Sequence, residues 1–127
     1  MKIVRIIATA AILFCSKATV MAQSKIDGSL SAITEIKPKA GFEKAVMEAA
    51  TTIQAAAIKE PGCLLFSLNT REDDGNAIVL FEVFRNRAAL DAHKKQQHTI
   101  LFGKQLEGKL EYNKVTFLNA ENTLYKQ

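Results

Sequence analysis

The sequence predicts an α+β domain with ferredoxin-like, β-α-β-β-α-β order. Three observations carry the prediction. Four short stretches read as strands, the first by strict alternation, two intervening regions repeat at helical spacing instead, and glycine, proline or polar turns separate them.

The first strand is read from Ser29 to Ile36. Leu30, Ala32, Thr34 and Ile36 share one face, and Ser31, Ile33 and Glu35 the other. Lys37-Pro38-Lys39-Ala40-Gly41 is expected to break it. From Phe42 the period changes: Phe42, Val46, Ala49, Ala50, Ile53 and Ala57 recur every three or four residues, with Glu43, Lys44, Glu48 and Gln54 opposite. The stretch is rich in alanine and free of proline, so a helix is favoured until Glu60-Pro61-Gly62 stops it.

Cys63 to Asn69 and Ala77 to Phe84 read as two strands. Arg71-Glu72-Asp73-Asp74-Gly75-Asn76 is a polar turn between them, so the pair should form a hairpin. Asn86 can cap a short helix over Arg87 to His93, and a second helical piece follows over about Thr99 to Leu106. Gly108 ends that piece, and Leu110 to Leu118 reads as the last strand. The tail beyond Leu118 is polar and expected to be loosely held.

The third strand has two apolar faces. Ile78, Leu80 and Phe84 point one way, and Ala77, Val79, Phe81 and Val83 the other. Helices on one side of the sheet cover only one of these faces. The surplus predicts a homodimer in which the open faces of two sheets meet.

Length and charge bound the function. The chain has 127 residues and a formal charge of +4, which suits one domain and invites a nucleic-acid reading. That charge is misplaced for such a role. Lys2 and Arg5 precede an apolar run from Ile6 to Cys15, Lys17 follows it, and Val20-Met21-Ala22 offers small or medium residues where a signal peptidase reads. This is the pattern of a secretory signal over residues 1–22, leaving a domain over 23–127 with its core at about 29–118. The apolar run is about half the ~20 residues that span a bilayer, so stable membrane insertion is not expected. Lys2, Arg5 and Lys17 account for three of the four net positive charges. The remaining domain is nearly neutral, no nucleic-acid partner is expected, and the location is periplasmic or secreted. Cys15 leaves with the signal, so Cys63 is a lone thiol without an intramolecular partner.

Three constellations could carry chemistry. Glu82 stands in an apolar strand on the face of Ile78, Leu80 and Phe84, where an unpaired carboxylate is costly. It is either a structural hydrogen-bond anchor or a base or ligand contact in a pocket. His93 and His98 are the only histidines. Their spacing of five disfavours a shared zinc ion, which prefers ligands four apart on one helical face. No Cys, Asp or Glu cluster supplies the remaining ligands, so no metal is expected. Either histidine could act as a general base near neutral pH. The aromatics Phe66, Phe81, Phe84, Phe102, Tyr112 and Phe117 are core candidates, of which Phe66, Phe84 and Phe102 are read as lining an apolar pocket. No phosphate loop, dinucleotide fingerprint or nucleophile elbow is present.

Glu60-Pro61-Gly62-Cys63, Phe81-Glu82-Val83-Phe84 and Arg87-Ala88-Ala89-Leu90-Asp91-Ala92-His93 running on to His98 resemble the antibiotic biosynthesis monooxygenase domain. The quinol monooxygenases are the branch that this chain is most similar to. The resemblance covers roughly Leu30 to Phe117. It implies a dimeric α+β barrel and oxygenation of a quinol-like aromatic by dioxygen, with no metal, flavin or other cofactor. The matching positions are Glu82, His93 and His98, with a histidine as proton acceptor and Glu82 as its partner or a substrate hydrogen-bond acceptor. Relatives that degrade haem use an Asn, a Trp and a His. This chain has no Trp, ends the third strand in Phe84 and has no Asn in the first strand, so haem degradation is not expected. A secretory signal is uncommon in the family. Two further readings share the fold: a non-catalytic dimer binding a small apolar ligand, and an isomerase of a small carbonyl compound.

Overall fold

The computed structural model describes residues 28–121 and the backbone of two short strands, 24–25 and 124–125. The signal segment lies outside the described residues. In chain order the elements are β1 (Ser24–Lys25), β2 (Leu30–Pro38), α1 (Glu43–Ala57), β3 (Cys63–Thr70), β4 (Ile78–Phe84), α2 (Arg87–Lys95), α3 (Gln97–Leu106), β5 (Leu110–Asn119) and β6 (Leu124–Tyr125). The ferredoxin-like order is therefore present. β2 to β5 form one antiparallel sheet in the order β3-β4-β2-β5, and β1 pairs with β6 in a separate ribbon.

Most boundaries shift by one or two residues from the sequence reading. β2 continues through Pro38 rather than breaking at Lys37. A register irregularity against β5 between Lys37 and Pro38 accommodates the proline, which cannot donate to a regular ladder. The polar tail lies partly outside the described residues, and within it Leu124–Tyr125 pairs with Ser24–Lys25. Backbone pairing of two such short segments leaves no side-chain periodicity to read.

Strand parity builds the core. In β2 and β4 alternate residues are buried, and Leu30, Ala32, Thr34 and Ile36 lie beside Ile78, Leu80, Glu82 and Phe84 under the helices. α1 lays Val46, Ala49, Ala50, Ile53 and Ala57 on this face, its alanines allowing close approach. Asn86 caps α2 by accepting from the Ala89 amide at 2.9 Å. Gln96 adopts an extended conformation (ψ 143°) between α2 and α3, so the two histidines sit on separate helices. On the opposite, open face, Val79, Phe81 and Val83 are half-buried, while Leu65, Tyr112 and Leu118 are exposed.

The turn from α1 into β3 fixes the site's back wall. The Glu60 amide donates to the Ala57 carbonyl, and the Cys63 and Arg85 amides donate to the Glu60 and Gly62 carbonyls. Gly62 sits so close to α2 that an added Cβ would overlap the Ala89 side chain. Gly62→Ala is expected to destabilise the domain by about 1–3 kcal/mol, read as a lower Tm by circular dichroism. An unchanged Tm would mean that the turn and α2 separate freely.

Candidate active site

The helices leave one part of the sheet's inner face uncovered, at the β5 edge. There a cavity of about 210 Å³ opens between the sheet and α2–α3. Its walls are mostly apolar: Ile53, Leu80, Leu90, Phe102, Val115 and Phe117. The polar atoms come from Thr34, Glu82, His93, Lys94, Thr99 and Asn113. An apolar cavity with a few converging polar groups is the usual form of a small-molecule site. Lys94 stands at the rim with its Nζ 4.8 Å from the Phe117 ring centroid, a cation–π contact.

Glu82 reaches this cavity because β4's alternation turns it inward with Leu80 and Phe84. It is 7% exposed, and Thr34 Oγ1 donates to its Oε1 at 3.4 Å. Burial pushes the Glu82 carboxyl up to about 7, opposed by the Thr34 hydrogen bond and helped by the nearby negative charge of Glu60. The carboxyl therefore exchanges its proton near neutral pH.

His93 lies in the last turn of α2 and is 5% exposed. Phe84 and Phe66 flank its ring, with centroids 4.9 and 6.3 Å away. Its Nδ1 is 2.8 Å from Glu60 Oε1. Its Nε2 is 3.5 Å from Thr99 Oγ1 and 3.9 Å from Glu82 Oε2. One ring nitrogen is thus held from behind, and the other faces the cavity. His98, from α3, places its Nε2 2.6 Å from the same Glu60 oxygen. Glu60 therefore joins the two histidines, whose ring centroids are 6.0 Å apart.

Glu60, His93 and His98 bring a carboxylate oxygen and two ring nitrogens within 4.8 Å of one another, a donor set that transition metals accept. In the structure these atoms are at hydrogen-bond distance. One oxygen lies at 2.8 and 2.6 Å from the two nitrogens, spacings that each hold a proton.

The model of the antibiotic biosynthesis monooxygenase family matches residues 29–102, more than half of the chain and all four of these ionisable groups. The chain belongs to the antibiotic biosynthesis monooxygenase family. Among solved structures it is similar to Rv0793 from Mycobacterium tuberculosis, at 27% identity and a TM-score of 0.69, covering 72% of this chain and 93% of that one. It is also similar to PA3566 from Pseudomonas aeruginosa, at 26% identity and a TM-score of 0.70, covering 74% and 95%. A curated relative, the uncharacterised Synechocystis protein sll1783, is 38% identical over 58 residues. That match covers 46% of this chain and only 40% of the relative.

In this antibiotic biosynthesis monooxygenase domain, the site residues expected from sequence separate into two groups. Glu82, His93 and Phe102 line the cavity. His98 does not line it and stands behind His93. Phe66 and Phe84 are likewise absent from the lining and pack instead around the His93 ring. Sequence reasoning missed Glu60, which it took as a helix stop, and Lys94 and Phe117 as wall residues. It also found no acid to join the histidines, because Glu60 lies 33 residues before His93.

Proposed function

We propose that this domain is a cofactor-independent monooxygenase acting on a quinol-like hydroxyaromatic, with His93 as the proton acceptor. The observation that carries the proposal is the pinning of His93. Glu60 accepts from the Nδ1–H, which leaves the Nε2 lone pair facing the cavity. This is the arrangement of a base and its orienting acid. Glu82 supplies a second polar contact for a substrate oxygen, and the apolar walls hold a one- or two-ring aromatic.

The chemistry needs no redox centre. His93 Nε2 takes the proton of a ring hydroxyl, and the resulting anion donates an electron to dioxygen. Recombination forms a ring C–O bond, protonation gives a hydroperoxide, and its O–O bond and the ring C–H at that carbon break as water leaves, giving a hydroxyquinone. One oxygen atom stays on the product, the other leaves in water, and the substrate supplies all the electrons. The protein contributes orientation, a base and exclusion of water. Glu60 fixes the orientation and tautomer of the His93 ring, as the acid of a triad does.

An oxygen electrode with 1,4-naphthohydroquinone tests the proposal. Uptake well above autoxidation supports it. Binding without uptake above background overturns it in favour of a ligand-binding role.

The dimer belongs to the same proposal. Leu65, Phe81, Val83 and Leu118 make the open sheet face apolar, and a second copy buries it against its own. Light scattering should give twice the chain mass. A monomer mass would overturn the pairing. The Lys2-to-Ala22 segment supports export, so the substrate is met in the periplasm or outside.

A further inference from the structure

We infer that Glu60 and His98 form a proton path from His93 to solvent at the back of the pocket. The inference rests on the reading of His93 as a base. His93 and Glu82 are only 5% and 7% exposed. An aromatic ring seated in the cavity closes the remaining access from the front. A proton delivered to His93 then has no water on that side to receive it.

Behind the ring, accessibility rises step by step. The side chains of His93, Glu60 and His98 are 6%, 10% and 25% exposed. The links are at hydrogen-bond distance, 2.8 Å from His93 Nδ1 to Glu60 Oε1 and 2.6 Å from there to His98 Nε2. Both links end on one oxygen, so the carboxylate passes a proton from one ring to the other without rotating. An imidazole can gain a proton at one nitrogen and lose one from the other.

The transfer balances as a shift of every proton by one place. The ligand O–H breaks as His93 Nε2–H forms. His93 Nδ1–H breaks as Glu60 Oε1–H forms. The proton held between Glu60 Oε1 and His98 Nε2 settles on Nε2, and His98 Nδ1 gives its proton to water. One proton leaves the ligand and one enters solvent. The charged or titratable groups around His93 are Glu60 from the α1–β3 turn, Glu82 from β4 and His98 from α3, with the Thr99 hydroxyl beside its Nε2. Lys94 follows it in α2, directed to Phe117 and Asp91. His98 and Glu60 are positioning residues here, since neither lines the cavity.

The test uses the full chain without oxygen and with 4-nitrophenol, whose phenolate is coloured. Stopped-flow mixing in weak buffer follows the phenolate band and, with a fluorescent pH dye, the proton reaching solution. In the wild type both are expected in one kinetic phase. In His98→Gln the phenolate still forms, but its proton should reach the dye at least tenfold more slowly, and added imidazole should restore the rate. Glu60→Gln should show the delay without rescue. Restoration by imidazole also shows that the His98 variant is folded. Proton release at the wild-type rate in both variants overturns the path while leaving the base intact. Absence of any bound phenolate in the wild type overturns the base, and the path with it.

Discussion

Replacing His93 with Gln is expected to lower kcat for hydroquinone oxidation by about 10²–10⁴-fold, the range that a positioned general base contributes. KM should change little. Gln keeps a polar group near Glu60 and Thr99, and the ring walls made by Phe102, Leu80 and Phe117 remain. What disappears is the proton acceptor at Nε2. A pure binding role for His93 would instead raise KM with kcat unchanged. The control is a substrate supplied already ionised. At a pH above the hydroxyl's own pKa the base has no proton to remove, and the gap between variant and wild type should narrow. A gap that stays constant across pH would place His93 in packing between Phe66 and Phe84 rather than in proton transfer.

That prediction relies on a residue the sequence named and on one it did not. His93 and Glu82 were legible because each is anomalous where it stands: a carboxylate inside the alternating apolar run Ile78–Phe84, and a histidine closing an amphipathic helix. Strand parity is a local property, so the two-faced β4 and the inward turn of Glu82 followed directly. Glu60 had no such signature. Beside Pro61 and Gly62 it reads as the end of α1, and its approach to His93 exists only because Gly62 lets the turn pack against Ala89. Phe84 and Phe117 make the same point for the walls. Parity turns both toward the helices, but Phe84 is fully buried behind His93 whereas Phe117, on edge strand β5, stands where no helix covers the sheet. The break between α2 and α3 was legible as two helical pieces, but where they pack on the sheet, and so which end stays open, is a tertiary outcome that periodicity does not encode.

Glu82→Gln should stabilise the domain at pH 8 by about 1–3 kcal/mol while abolishing or sharply reducing turnover. The sign follows from linkage. Burial pushes the Glu82 carboxyl up to about 7 in the fold, against its ordinary 4.5. Between these limits the unfolded chain has released the proton that the folded chain still holds. Stability from this group is therefore fully present below 4.5, falls as pH rises, and is lost once pH passes 7. The shift corresponds to about 3 kcal/mol, and the side chain is buried enough that solvent does not screen it away. Gln cannot ionise and can still accept from Thr34. Its advantage should accordingly be large at pH 8 and vanish at pH 4.5, measured as the difference between wild-type and variant urea midpoints at the two values. Other titrating groups are common to both proteins and cancel in that difference. An equal gap at both pH values would assign the effect to packing and not to ionisation. A carboxylate that costs the fold stability above neutral pH, with only the Thr34 hydroxyl donating to it and His93 Nε2 3.9 Å away, is the mark of a group kept for its place beside that ring.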